Sequence, residues 1–210
     1  MNRPTRRPGG RSADVRRRVL DAVVAQLVDH GYDALSIDTV AAGCGVHRTT
    51  VYRRWRDVGG LLADVLAEAA ADDWRPPDTG TLDGDLAALN REVFAALTGD
   101  PPITTALIAA SFRSTRAAEA LRAFWADRYD RCAVIVARAA GRSEIPAGTD
   151  ARRLLVAATA PLYHELVLLR AGPDAGLADR TAADTAVAAR AGAFAATVVS
   201  PDEHHGDDRR

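Results

Sequence analysis

The stretch Val40-Ala41-Ala42-Gly43-Cys44-Gly45-Val46-His47-Arg48-Thr49-Thr50-Val51-Tyr52-Arg53-Arg54-Trp55 decides the fold. It predicts two short helices, Ile37 to Cys44 and Arg48 to Trp55, joined by the tight turn Gly45-Val46-His47. Two short helices cross steeply only where their contact residues are small, and Ala41 is the small residue on the first. Gly45 tolerates the positive φ that the turn requires. Val40, Cys44, Val46 and Val51 fall where they close a small core. Arg48, Thr49, Tyr52 and Arg53 are left pointing outward from the second helix. A helix of this kind fits the major groove of a duplex, about 12 Å wide, and presents side chains to base edges.

Working outward, Ser36 is a candidate N-cap for the first of these helices. Upstream, Val15, Val19, Val23 and Leu27 recur at i+4 with Leu20, Val24 and Val28 beside them, so a longer helix is expected from about Ala13 to His30. Residues 1–12 carry four arginines, two prolines and two glycines, which predicts a flexible arm. Residues 1–56 hold eleven arginines against five acids, a balance of +6 inside a chain whose net charge is −1. The remaining residues are therefore acidic, with a balance of −7. A basic head on an acidic body points to a nucleic-acid partner for the head alone.

Chemical roles follow for the head. Arg48 and Arg53 suit guanine O6 and N7, and Thr49 suits a base edge or a thymine methyl. Thr50, Tyr52 and Arg54 have the hydroxyls and charge to hold phosphates. Arg3, Arg6, Arg7 and Arg11 of the arm suit a flanking minor groove or the backbone. Ser36 and Arg56 complete the set of residues expected near DNA.

The rest of the 210 residues also reads as helix. Alanine makes up 44 of them, lysine is absent, and all 27 basic residues are arginine. Helices are expected over Leu61–Trp74, Leu82–Leu97, Ile103–Phe112, Ala117–Ala140, Ala151–Ala171 and Ala182–Val199, punctuated by glycine and proline. The fold class is all-α, with about nine helices. The expected division is an arm (1–12), a helix-turn-helix DNA-binding domain (13–56), a helical body (57–200) and a disordered polar tail (201–210). Catalysis finds no support: no nucleophile stands at recognisable spacing from a base, and there is no phosphate loop or HExxH. An enzyme using Glu165 and His164 as acid and base is the remote alternative. No cofactor or metal site is expected, and His204-His205 reads as solvated. No apolar run is long enough to span a bilayer. Cys44 and Cys132 read as small core residues in a reducing cytoplasm.

The segment from Val15 to about Leu66 resembles the TetR family of transcriptional regulators. The resemblance lies in the apolar first helix, Leu35-Ser36-Ile37-Asp38-Thr39-Val40-Ala41, then Gly45-Val46, Thr50-Val51-Tyr52, Trp55 and Leu61-Leu62. The body is similar to a C-terminal type of the same family through Phe124-Trp125, Arg128, Pro161-Leu162-Tyr163, Leu166 and Ala178-Asp179-Arg180. The resemblance implies an all-helical homodimer on a palindromic operator, with a body that binds a small ligand and dimerises. It implies repression, released when the ligand enters. The family's usual lysine at the start of the fourth helix is Val58 here, and Arg56 is the candidate substitute. A DNA-binding regulator or architectural protein without a ligand is the alternative.

Two sites are expected in the body. Pro161 lacks an N–H inside a predicted helix, and a kink there would open space beside Ala157, Ala158 and Tyr163. Trp74, Phe94, Phe112, Trp125, Ala158, Tyr163 and His164 are the candidate ligand-pocket residues. Ala183, Val187, Ala191, Phe194 and Val198 form a stripe on the last helix, and Leu155, Leu162, Leu166 and Leu169 one on the helix before it. These two stripes are the candidate dimer interface.

Overall fold

The computed structural model describes residues 9–196. Among them nine α-helices follow one another, with no strand and one isolated bridge between Thr149 and Ala195. They are α1 (Gly9–His30), α2 (Ile37–Cys44), α3 (Arg48–Trp55), α4 (Val58–Ala70), α5 (Leu82–Thr98), α6 (Ile103–Ser111), α7 (Thr115–Gly141), α8 (Ala151–Tyr163) and α9 (Leu177–Arg190). A π-helical turn, His164–Leu168, extends α8. No single helix among the described residues is long and apolar enough to cross a membrane.

The first three helices form around one apolar cluster. Val19, Val23 and Leu27 of α1 are buried against Val40, Ala41 and Cys44 of α2 and Val51 and Trp55 of α3. Ser36 starts α2 with a reciprocal cap: its hydroxyl accepts from Thr39 N at 3.0 Å, and its own N–H donates to Thr39 Oγ1 at 2.9 Å. The arm is shorter than expected, because α1 begins at Gly9 and residues 9–12 are helical. Ser12 lies within this helix, and its hydroxyl accepts from Arg54 Nη1 at 3.5 Å. Arg3, Arg6 and Arg7 lie outside the described residues, as do Val198 and the predicted tail.

Helix α4 starts and stops earlier than the predicted Leu61–Trp74. Asp57 caps it, accepting from Gly60 N at 2.7 Å. At its far end Arg131 Nη2 donates to Ala70 O at 2.7 Å and Arg128 Nη2 to Ala69 O at 2.9 Å. Cations on the last carbonyls end a helix favourably, and Trp74 is left in the extended connector that follows. Leu61, Leu62 and Val65 of α4 are buried in the same cluster as the head, together with Ala110 of α6 and Ala117 of α7. The apolar core is therefore continuous across residue 56. Gly60 makes the approach possible: a Cβ there would collide with Trp55 O and the Arg116 guanidinium.

The body packs α5, α7, α8 and α9 around Leu82, Leu86, Ile135, Leu154 and Leu155. Ala182, Ala186 and Ala189 let α9 lie close to this core. Buried Asn90 ties α5 to α8 and α9, its amide within 2.9 Å of Ala158 O and 3.2 Å of Ala178 O. Pro161 does not break α8; the turn after it widens, with Leu169 N donating to His164 O at 2.9 Å.

The expected dimer stripes are corrected here. Leu155 and Leu162 are fully buried within their own chain, because an alanine-rich α8 has few other large side chains to fill the body. Helix α9 ends at Arg190, so Ala191 and Phe194 lie outside it. The chain turns at Gly192, Phe194 O accepts from Asp150 N at 2.7 Å, and the Phe194 ring packs against the body core. Ala183 and Val187 do face outward, with Leu169 exposed and Leu166 half-buried.

Three helices of the head meet at Asp64 of α4. Its carboxylate accepts from Arg16 of α1 at 3.0 and 2.7 Å and from Trp55 Nε1 of α3 at 2.8 Å. Burial pushes the Asp64 carboxyl up, but the bonds from Arg16 and Trp55 outweigh it and hold the group below its ordinary value. A carboxylate with a lowered folded pKa stabilises the fold fully above its unfolded pKa, about 3.9, and loses that contribution as pH falls through the folded value. Asp64→Asn is expected to cost about 2 kcal/mol near neutrality. In urea melts the gap from wild type should close as the pH falls below about 4; a gap independent of pH would contradict the ionic role.

Candidate nucleic-acid interface and ligand cavity

The turn between α2 and α3 sets the outer face of the head. Gly45 holds φ 63°, ψ 30°, and Arg18 of α1 donates to Cys44 O beside it. His47 caps α3, its Nδ1 within 3.4 Å of Thr49 N and 2.9 Å of Thr49 Oγ1. With Val51 and Trp55 buried, Arg48, Thr49, Tyr52, Arg53 and Arg54 are exposed, and Thr50 is half-buried. Tyr52 is 59% exposed although it is large and aromatic. Arg48 Nε sits 2.7 Å from Asp38 of α2, so its charge is held beside the turn. Arg54 stacks over Trp55 at 5.1 Å. Arg56 is exposed at the end of α3 with φ 67°, and Val58 opens α4 half-buried against the head core. Ser36 is half-buried and its hydroxyl is occupied by the α2 cap. Arg11 falls in the first turns of α1.

A cavity of about 200 Å³ opens between α5, α7 and α8. Three of the expected pocket residues line it: Trp74, Trp125 and Tyr163. The other four do not. Phe112 is 78% exposed and lines a separate groove between α6 and the π turn. Phe94 packs against Leu97 and Leu162, on another side of α5. Ala158 is fully buried in the body core, and His164 is exposed. Phe124, Arg128, Tyr129, Cys132 and Thr159 line the cavity without having been expected there. Spacing on α7 carries the missed signal: Trp125, Tyr129 and Cys132 follow at i+4 and i+3 on one face.

The polar groups of this wall are largely paired with each other. Trp74 Nε1 donates to Glu92 at 2.9 Å. The Tyr129 hydroxyl lies 3.2 Å from Thr159 Oγ1, which donates to Leu155 O at 3.0 Å. Trp125 meets Tyr163 edge to face at 5.5 Å. Burial raises the Tyr163 phenol well above its ordinary value, and raises the Cys132 thiol to about 11. The cavity is thus aromatic, holds one carboxylate and one guanidinium, and contains no ionisable nucleophile near neutral pH.

Residues 19–65 match the family described as bacterial regulatory proteins, tetR family, and residues 76–185 match the tetracyclin repressor-like C-terminal domain. The chain belongs to the TetR family. It is a DNA-binding transcriptional regulator rather than an enzyme. It is 36% identical over 160 residues to the HTH-type transcriptional regulator AqdR of Rhodococcus erythropolis, covering 73% of this chain and 74% of that one. It is 35% identical over 167 residues to the DNA-binding transcriptional repressor TetR of Mycobacteroides abscessus, covering 74% and 84%. Among solved structures, the TetR-family regulator SCO0332 superposes with a TM-score of 0.64 at 29% identity over 83% of this chain and 97% of its own. The SmeT–triclosan complex has the same fold, with a TM-score of 0.59 at 19% identity over 94% and 100%. Regulators of the TetR family bind DNA operators and small molecules, typically as dimers.

The TetR-type cavity wall makes a chemical prediction. With a pKa of about 11, about one Cys132 thiol in a thousand is ionised at pH 8, and the side chain is buried. A maleimide or disulfide reagent should leave Cys132 unmodified in native buffer for hours and label it promptly in urea, as read by peptide mass. Rapid native labelling would show that the α7 side of the cavity opens in solution.

Proposed function

We propose that this TetR-family regulator is a cytoplasmic homodimeric repressor, released from a palindromic operator by a small uncharged aromatic molecule. The observation that carries the DNA reading is the exposed row Arg48, Thr49, Tyr52 and Arg53 on a helix whose other face is fully buried. Arg48 and Arg53 read base edges, Thr49 contacts a base or a thymine methyl, and Thr50, Tyr52, Arg54 and Arg56 hold phosphates. Arg48 leaves Asp38 for the base when DNA is bound. The hydroxyl of Ser36 is spent on its cap, so that residue serves by starting α2. Arg3, Arg6, Arg7 and Arg11 follow the flanking backbone or minor groove. Residues 13–56 form the DNA-binding unit; residues 57–200 bind the ligand and dimerise, with α4 shared between them.

One reading helix covers too few base pairs for useful specificity, so two copies a helical turn apart are required. The outward side chains Ala183 and Val187 of α9, with Val156, Leu168 and Leu169 from α8 and its π turn, supply an apolar face for a second copy. The ligand reading rests on the aromatic cavity. Its volume lies below the roughly 300–1,000 Å³ of drug-sized sites, which suits a molecule of one or two rings. The wall is mostly apolar, with Arg128 paired to Asp72 and Glu92 accepting from the Trp74 indole. SmeT, a neighbour in fold, is solved as a complex with triclosan.

Selection from a random duplex pool tests the DNA reading. The purified protein should retain palindromic duplexes with half-site centres about 34–36 Å apart, bound with a steep salt dependence. On the selected duplex, Arg48→Ala should relax the preference at one base position, while Arg54→Ala should weaken every sequence alike. Equal loss of selectivity from both would overturn these roles, and failure to enrich any duplex would overturn the DNA reading itself.

A further inference from the structure

Arg128 of α7 belongs to two structures at once. Its guanidinium lies 4.8 Å from the Trp74 ring and 5.0 Å from the Phe124 ring, so it faces two aromatic walls of the cavity. The same group donates from Nη2 to Ala69 O at 2.9 Å and to Asp72 at 2.6 Å. Those two acceptors are in the last turn of α4 and two residues beyond its end. Arg131 reinforces the joint, reaching Ala70 O at 2.7 Å and Asp72 at 3.4 Å. Arg131 does not line the cavity, so Arg128 joins the cavity wall directly to α4.

From Ala69 the path to the reading helix is short and stiff. Helix α4 is 13 residues long, carries Asp64 bonded to Trp55 of α3 in its middle, and is capped by Asp57 directly after α3. Near Gly60 the backbone of α4 packs against the end of α3 too closely to admit a Cβ, which would collide with Trp55 O. The Arg128 side chain is 15% exposed, while its partner Asp72 is open to solvent on the outer side.

We propose that Arg128 is the positioning residue through which occupancy of the cavity reaches α4 and the reading head. This deepens the ligand-released reading above and rests on it. A guest that stacks on Trp74 or Phe124 takes the ring faces the guanidinium uses. Arg128 then swings away, Ala69 O loses its donor, Asp72 keeps only Arg131, and the C-terminal anchor of α4 is weakened. The guest binds the unlatched form better because only there are both ring faces free, which is the differential affinity a switch requires. Asp72 is the informative position to alter, since it completes the latch without lining the cavity.

A double-mutant cycle on the selected operator duplex tests this without knowledge of the natural ligand. Val93→Trp fills the cavity from the α5 wall, and Asp72→Asn breaks the latch from outside. Each should weaken operator binding about tenfold, and the double variant should bind no worse than the weaker single one. Asp72→Glu, which keeps the carboxylate, should stay near wild type. Additive losses in the double variant would overturn the proposal, as two independent structural defects add. It is also overturned if Asp72→Asn binds like wild type, or if Val93→Trp is inert while Asp72→Asn is not; in both cases the DNA reading stands. If Val93→Trp fails to fold by circular dichroism, Ala96→Phe on the same wall takes its place in the cycle. Failure of the wild type to select any duplex strikes the DNA reading first.

Discussion

Helix α4 joins the head to α6 and α7 through one continuous apolar cluster, and the contact that fixes it there is the Asp64 carboxylate between Arg16 and Trp55. One apolar side of α4, through Leu61, Leu62 and Val65, completes the head. The polar side holds α1 and α3 through charge-assisted bonds, which are directional where apolar burial is not. A helix fixed only by leucines slides among near-equivalent packings. One fixed also by a bidentate guanidinium and an indole N–H has a single register. The angle at which α3 is presented to solvent therefore follows from α4, and α4 in turn is set by what grips its two ends.

The parts of this architecture that could be read from the sequence are those governed by local rules. Gly45 is needed at a left-handed turn, Ser36 starts a helix, and the alternation of Val40, Ala41, Cys44 and Val51 buries one side. These rules involve residues a few positions apart, so neighbours suffice to state them. The outer row from Arg48 to Arg53 follows by subtraction once the buried side is known.

What escaped the sequence was decided across long separations. Helix α4 ends at Ala70 because two arginines 59 and 61 positions away take its carbonyls and the bend behind them. The stripe continued through Ala191 and Phe194 by periodicity fails because the Asp150 N–H captures Phe194 O and folds the segment back. Leu155 and Leu162 have the spacing of an interface, but spacing does not say which neighbour a face meets. In a chain so rich in alanine, the few leucines are claimed first by the interior. Phe112 and Phe94 show the same limit for the cavity: an aromatic residue on a helix is half-way to a prediction until the facing helix is known. Tyr163 lies two residues after Pro161, where a widened turn rather than a break follows, and Trp125 meets its ring from α7.

The absence of lysine gains a structural meaning at these joints. Arg18, Arg128, Arg131, Arg138 and Arg153 all donate to backbone carbonyls of distant segments, at Cys44, Ala69, Ala70, Pro77 and Ala195. An ammonium would supply charge there, but not a planar fork that bonds a carbonyl and a carboxylate together while its face rests on a ring. Arg128 bonds a carbonyl and a carboxylate through Nη2 while its guanidinium lies near the Trp74 and Phe124 rings. A fold built from slender alanine helices has little side-chain bulk with which to wedge its parts, and its angles are held largely by such polar clasps. Clasps of this kind open at a lower cost than a packed core rearranges, which is why the path from cavity to reading head runs through a guanidinium rather than through the leucines around it.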